Sequence, residues 1–132
     1  MRIFISFKYE TDYLFRNLLK AWNYHPNIDI SFDDVTPREI NSEEIGRVKA
    51  VLTQKVKDSD AVIVLIGEMS DTFHRDYKQI GYKNWQYFEI AKAIEYHKKI
   101  IVVKRDKTFD TPKILYNRGA TWVYSFNKDK IL

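Results

Sequence analysis

The chain has 132 residues, and that length predicts one domain over 1–132. Hydrophobic residues make up 45% and aromatics 15%, enough for a packed core, while zero cysteines exclude disulfides, thiolate metal sites and a cysteine nucleophile and fit a cytoplasmic protein. The 22 basic residues are interleaved with 18 acidic ones for a net charge of +4, which argues against nucleic acid as a partner and leaves room for a small anionic ligand.

Strands and helices alternate along the chain. The start, Met1-Arg-Ile-Phe-Ile-Ser-Phe7, has no long apolar run, so neither a signal peptide nor a membrane span is expected. Arg2 to Ser6 reads as a first strand. Thr11 or Asp12 can cap a helix carrying Leu14, Leu18 and Trp22 at helical spacing, ended by Pro26 and Asn27. Ile28 to Phe32 alternates and predicts a second strand, with Asp33 and Asp34 opening a loop. Asn41 can cap the next helix, whose stripe is Ile45, Val48, Leu52 and Val56. Ala61-Val-Ile-Val-Leu-Ile66 is strand-sized and apolar throughout, as in a strand buried on both faces of a parallel sheet.

A polar segment from Glu68 to about Ile80 is long for a connection and suggests a lid or an assembly surface. A helix follows, with its first turns in Gly81 to Ile94 and its end near His97. Ile100 to Val103 is a fourth strand. Pro112 to Tyr116 is a short helix closed by Gly119, and Thr121 to Tyr124 a fifth strand. Five strands alternating with helices predict a three-layer α/β domain, with a flavodoxin-like parallel sheet in the order 2-1-3-4-5. Ligands in such sheets bind beyond the carboxyl ends of the strands, near the switch between strands 1 and 3.

Trp85 and Glu89 lie one helical turn apart on one face. Ile90 and Ile94, with Tyr87 and Ala91 beside them, mark the face expected to be buried, and Glu89 lies about 100° from Ile90. An indole and a carboxylate off the core face suggest a pocket; the bland alternative is a solvated Glu89 and a Trp85 that covers a loop. The predicted topology carries both toward the crevice, with Ser6 and Phe7 at the end of strand 1 and Asp33 after strand 2. Phe7 suits stacking on a base or a place in the core. Ser6 suits a ribose or phosphate contact, or a plain strand end; Asp33 or Asp34 suits ribose hydroxyls, or a turn. Lys83 or Lys8 suits a pyrophosphate or plain solvation, and Asn84 suits a helix cap.

Other chemistries lack their residues. The chain has four glycines and no phosphate-binding glycine motif. His25, His74 and His97 are too far apart for a zinc site, so no metal is expected. Strand 3 ends in Ile66-Gly67 and strand 1 in Ser6-Phe7, where a phosphoacceptor receiver would carry acids.

Several segments together resemble the TIR-like proteins of the Thoeris antiphage system, the ThsB type. They are Arg2-Ile-Phe-Ile-Ser-Phe7, Ile40-Asn-Ser-Glu43, Ile80-Gly-Tyr-Lys-Asn-Trp85, Phe88-Glu89-Ile90 and Gly119-Ala-Thr-Trp-Val-Tyr-Ser-Phe126. The resemblance implies a TIR fold and cleavage of NAD+ at the nicotinamide–ribose bond, with Glu89 catalytic and Trp85 four residues before it. It implies a cyclic or conjugated ADP-ribose signal that activates a separate effector protein after a phage-derived trigger. NAD+ is then the substrate and no further cofactor is needed. A homo-oligomer remains open, because Asp33-Asp-Val-Thr-Pro37 is not a clear copy of the animal TIR interaction loop. A non-catalytic TIR adaptor or a nucleotide-binding sensor is the alternative.

Overall fold

The computed structural model describes residues 2–7, 31–33, 45–67, 70–104 and 109–123, with the side chains of 31–33 left out. The strands are β1 (Arg2–Ser6), β2 (Ser31–Asp33), β3 (Ala61–Ile66), β4 (Lys99–Lys104) and β5 (Thr121–Val123). The helices are α1 (Ile45–Lys57), α2 (Tyr77–Ile80) and α3 (Trp85–Glu95), with a 3-10 turn at Lys113–Leu115. The strands form one sheet in the order β2-β1-β3-β4-β5, and each neighbouring pair is parallel. This is an α/β fold on a parallel sheet. The helix expected around Leu14 to Trp22 and the cap at Asn41 lie outside the described residues.

The apolar run of β3 explains the centre of the sheet. All six of its residues are buried, paired with β1 on one side and β4 on the other. Alternation sends Phe4, Val62, Val64, Ile66, Ile100 and Val102 to one face. There they join Val48, Leu52 and Val56 of α1 and Phe88, Ile90 and Ala93 of α3. Ile3, Ile5, Ile63, Leu65, Ile101 and Val103 on the opposite face are also buried. Burial on both faces is why these strands read as continuous apolar runs rather than as alternation. Each such side chain contributes roughly 1.5–3 kcal/mol. Asp60 fixes the β1–β3 register: its carboxylate accepts from the Arg2 N–H at 2.7 Å and its own N–H donates to the Arg2 carbonyl at 2.8 Å.

α1 and α3 pack on each other over the same sheet face. The stripe of α1 is as spaced in the sequence, with Val48, Leu52 and Val56 buried and Ile45 at its edge. α3 ends at Glu95 with Tyr96 as its cap, and His97 after it takes the left-handed conformation at φ 56°. The His97 N–H reaches the Ile94 carbonyl at 3.1 Å and the Lys98 N–H reaches Ala93 at 2.9 Å. This is the paired closure that glycine usually provides.

Three local expectations are corrected. Asp33 is the last residue of β2 rather than the first of a loop. α3 begins at Trp85, not Gly81; Gly81 instead closes α2 at φ 84°. The turn at Lys113–Leu115 ends at Tyr116 in extended backbone, before Gly119 is reached. Within the polar segment after β3, residues 77–80 form α2, whose Ile80 enters the core.

Candidate functional site at the ends of β1 and β3

The buried face of α3 consists of Trp85, Gln86, Phe88, Glu89, Ile90 and Ala93. Glu89 is therefore inside that face, not beside it. Ile94 only borders the core, and Tyr87 and Ala91 are half-buried. Ile90 is buried as expected, and the expectation that Trp85 and Glu89 lie outside the buried face is overturned. Periodicity placed the apolar stripe by its isoleucines. The structure rotates the helix so that polar Gln86 and Glu89 meet the carboxyl ends of the strands.

Trp85 is 7% exposed and sits in the core cluster. Its ring meets Phe88 edge-on at 5.6 Å between centroids and His74 at 6.4 Å. The indole thus anchors the first turn of α3 to the sheet. It neither stands off the core nor merely covers a loop.

Glu89 is 3% exposed and Ser6 fully buried. The Ser6 hydroxyl donates to Glu89 Oε1 at 2.7 Å, across 83 positions of sequence. A buried carboxylate demands polar partners, because desolvation of a charge without them is prohibitive. Ser6 can supply one because β1 ends there: residue 6 points to the same face as Phe4, toward α3. Gln86 crosses the same junction. Its Nε2 donates to the Ser6 carbonyl at 3.1 Å and to the Leu65 carbonyl at 2.9 Å. These are the carboxyl ends of β1 and β3, where this class of sheet binds its ligands. Phe7 follows directly and is buried.

The loop before α3 is held by Asn84. Its side chain accepts from the Tyr87 N–H at 2.9 Å, capping the helix, and donates to the carbonyls of Ser70 at 3.0 Å and Thr72 at 2.8 Å. Ser70 in turn accepts from the Gly67 N–H at the end of β3. Next to this cap, the Tyr87 hydroxyl donates to Asp71. Lys83 pairs with the same carboxylate at 3.2 Å and lies over the Phe73 ring at 4.9 Å. Burial first, and then the bond to Asp71, push the Tyr87 phenol up to about 12.

Of the residues singled out in the sequence, Ser6 and Glu89 are in direct contact, with Phe7 next in the chain. Lys83 is engaged with Asp71 on the preceding loop. Asp33 lies at the carboxyl end of β2, with Phe4 as its register partner on β1, and its side chain lies outside the described residues. Gln86 and Tyr87 were not foreseen as site residues. A glutamine next to a tryptophan at a helix start carries no signal until the strand ends it touches are known.

The chain matches the family described as "Thoeris protein ThsB, TIR-like domain" over residues 4–110. It belongs to that family. No curated protein sequence matches it. Among solved structures, this TIR-like chain is similar to a 2-deoxyribosyltransferase from Bacillus psychrosaccharolyticus, with a TM-score of 0.61 at 11% identity, over 100% of this chain and 92% of the other. It is similar to the Clostridium botulinum CMP N-glycosidase BcmB, with a TM-score of 0.59 at 12% identity, over 98% and 93%. A prokaryotic SEFIR domain matches with a TM-score of 0.52 at 13% identity, over 98% and 90%. At these identities the likeness is one of fold. No helix among the described residues is long and apolar enough to cross a membrane.

Proposed function

We propose that this ThsB-type chain is a single, cytoplasmic, flavodoxin-like TIR domain of three layers that cleaves NAD+ at the nicotinamide–ribose bond. Its product is a cyclic or conjugated ADP-ribose signal, which activates a separate effector protein once a phage-derived trigger is present. The observation that carries the reading is the buried Ser6–Glu89 contact at the ends of β1 and β3. It gives one carboxylate a fixed position in the crevice where this fold class binds ligands.

The chemistry asks for one such group. When the C1′–N1 bond of NAD+ breaks, its electron pair neutralises the pyridinium, so nicotinamide leaves without a general acid. Positive charge develops on the ribose. A fixed carboxylate in a dry site stabilises that charge and needs no reorganisation as it forms. Capture of C1′ by water gives ADP-ribose; capture by an adenosine-side hydroxyl or ring nitrogen closes a ring. Capture by water or a hydroxyl releases a proton, whereas a ring nitrogen takes the positive charge onto the adenine.

Glu89 is assigned as the catalytic residue. Ser6 holds its carboxylate, Phe7 walls the crevice, and Asp33 at the end of β2 binds ribose hydroxyls. Lys83 reaches the pyrophosphate on leaving Asp71, and Trp85 backs the site from the core. Two structural neighbours bear the names of an N-glycosidase and a deoxyribosyltransferase, so glycosyl chemistry is compatible with the fold.

Purified protein incubated with NAD+, with and without lysate of phage-infected cells, tests the reading by mass spectrometry of the small molecules. Wild type gives nicotinamide and an ADP-ribose product with the lysate, and folded Glu89→Gln falls by about 10²–10³. Equal turnover by both removes Glu89 from the mechanism.

A second reading is a non-catalytic interaction module. It draws on the exposed rings of Phe73, Tyr77 and Tyr82 around α2, where Phe73 and Tyr77 meet edge-on at 5.0 Å. That reading expects no product under either condition.

A further inference from the structure

The Gln86 side chain is 2% exposed, and its two hydrogen bonds leave one atom unexplained. Both partners of the amide, the carbonyls of Ser6 and Leu65, are acceptors. The nitrogen must therefore face them, and the amide cannot be flipped. Its Oε1 is left buried with no hydrogen-bond partner among the described residues. Buried acceptors are rarely left so, because the water they give up is not replaced. Gln86 and Glu89 meet the same residue: one takes the Ser6 carbonyl, the other its hydroxyl.

We propose that Gln86 Oε1 is a ligand-binding atom that accepts a hydrogen bond from a hydroxyl of the nicotinamide-side ribose of bound NAD+. The inference rests on the NAD+ reading given above and extends it to a second residue. The ligand needed must bring a donor and no negative charge to that point, since the Glu89 carboxylate is close by. A sugar hydroxyl meets both conditions, whereas a phosphate oxygen meets neither. The two Nε2 bonds tie the oxygen to β1 and β3 at once, so its position is set before the ligand arrives. Gln86 would thus select a ribosyl over a deoxyribosyl substrate, because a site built to bond a hydroxyl discriminates against the analogue lacking it.

The test is a cycle between protein and substrate. Wild type and Gln86→Met are assayed with triggering lysate on NAD+ and on its 2′-deoxy and 3′-deoxy nicotinamide-ribose analogues. The expected result is a loss of about tenfold or more in kcat/KM for Gln86→Met on NAD+, with little loss on one of the two analogues. The same fold-loss on all three substrates overturns the contact and leaves Gln86 as a brace between strands, or Oε1 as the partner of a buried water. If Gln86→Met does not fold, wild type alone decides. The side-chain amide resonance of Gln86 must shift on adding NAD+ and shift less with one deoxy analogue; identical shifts with all three overturn the proposal. If wild type neither binds nor cleaves NAD+ and Glu89→Gln changes nothing, the NAD+ reading itself fails and the ribose contact falls with it.

Discussion

Ser6 and Glu89 share a 2.7 Å hydrogen bond although one ends the first strand and the other lies in the second turn of α3. The contact joins the strand at the switch of the sheet to the helix that covers it. It makes the carboxylate position depend on how α3 docks, so several changes away from Glu89 should reach the site.

Ser6→Ala removes one donor to a buried carboxylate. Hydrogen bonds to charged groups contribute about 1.5–3 kcal/mol. NAD+ turnover should fall roughly tenfold or more, while far-ultraviolet circular dichroism stays that of wild type. Unchanged kcat/KM in the folded variant would show that Ser6 does not orient the carboxylate.

Trp85→Ala should act on stability first. The indole is in the core and braced by Phe88, and such truncations cost about 3–5 kcal/mol. The expected drop in melting temperature is on the order of 10 °C. A melt within a degree or two of wild type, accompanied by lost activity, would instead make Trp85 a ligand contact.

Asn84→Ala removes a helix cap, for about 1 kcal/mol, and frees the Ser70 and Thr72 carbonyls together. Hydrogen exchange between residues 70 and 83 should quicken more than in β3. If these amides keep wild-type protection, Asn84 is not what holds the segment. The lid idea for 68–80 then depends on this residue: release of the segment on triggering would require the Asn84 bonds to break.

Tyr87 makes stability fall at alkaline pH. Its phenol titrates near 12 in the folded chain against an ordinary value of 10, and it is the protonated form that donates to Asp71. The raised value means that the stabilisation is fully present below pH 10 and is lost as pH rises through 12. Tyr87→Phe should flatten the stability profile between those limits, read from urea midpoints at a series of pH values. A profile unchanged in slope would mean that the Asp71 bond contributes nothing to the fold.

His97→Gly should stabilise the domain. A residue with a Cβ at φ 56° is strained, by roughly 1–2 kcal/mol for an L-amino acid, less the extra entropy that glycine loses. A rise in melting temperature of a few degrees is expected. A fall would mean that the imidazole makes a compensating interaction at the helix end.

Class and periodicity were legible in the sequence because they are local. Six apolar residues in a row at 61–66 can only be a strand buried on both faces or a short buried helix, and length decides between them. The stripe of α1 is set by 3.6-residue spacing, and both α3 and its Asn84 cap could be read from residue types alone. The motif resemblance singled out Glu89 and its neighbours by residue type and order. What the sequence could not decide was rotation and reach. Ile90 and Ile94 suggested one buried face, and the structure turned α3 so that Trp85 joined the core and Glu89 and Gln86 faced the strand ends. That orientation depends on which side chains β1 and β3 present at their carboxyl ends, and these are 83 and 21 positions from their partners. A carboxylate and an amide can be buried only where such partners already wait. Contacts of that kind exist only once the sheet has assembled, so tertiary structure alone brought Gln86 beside Ser6 at the strand ends.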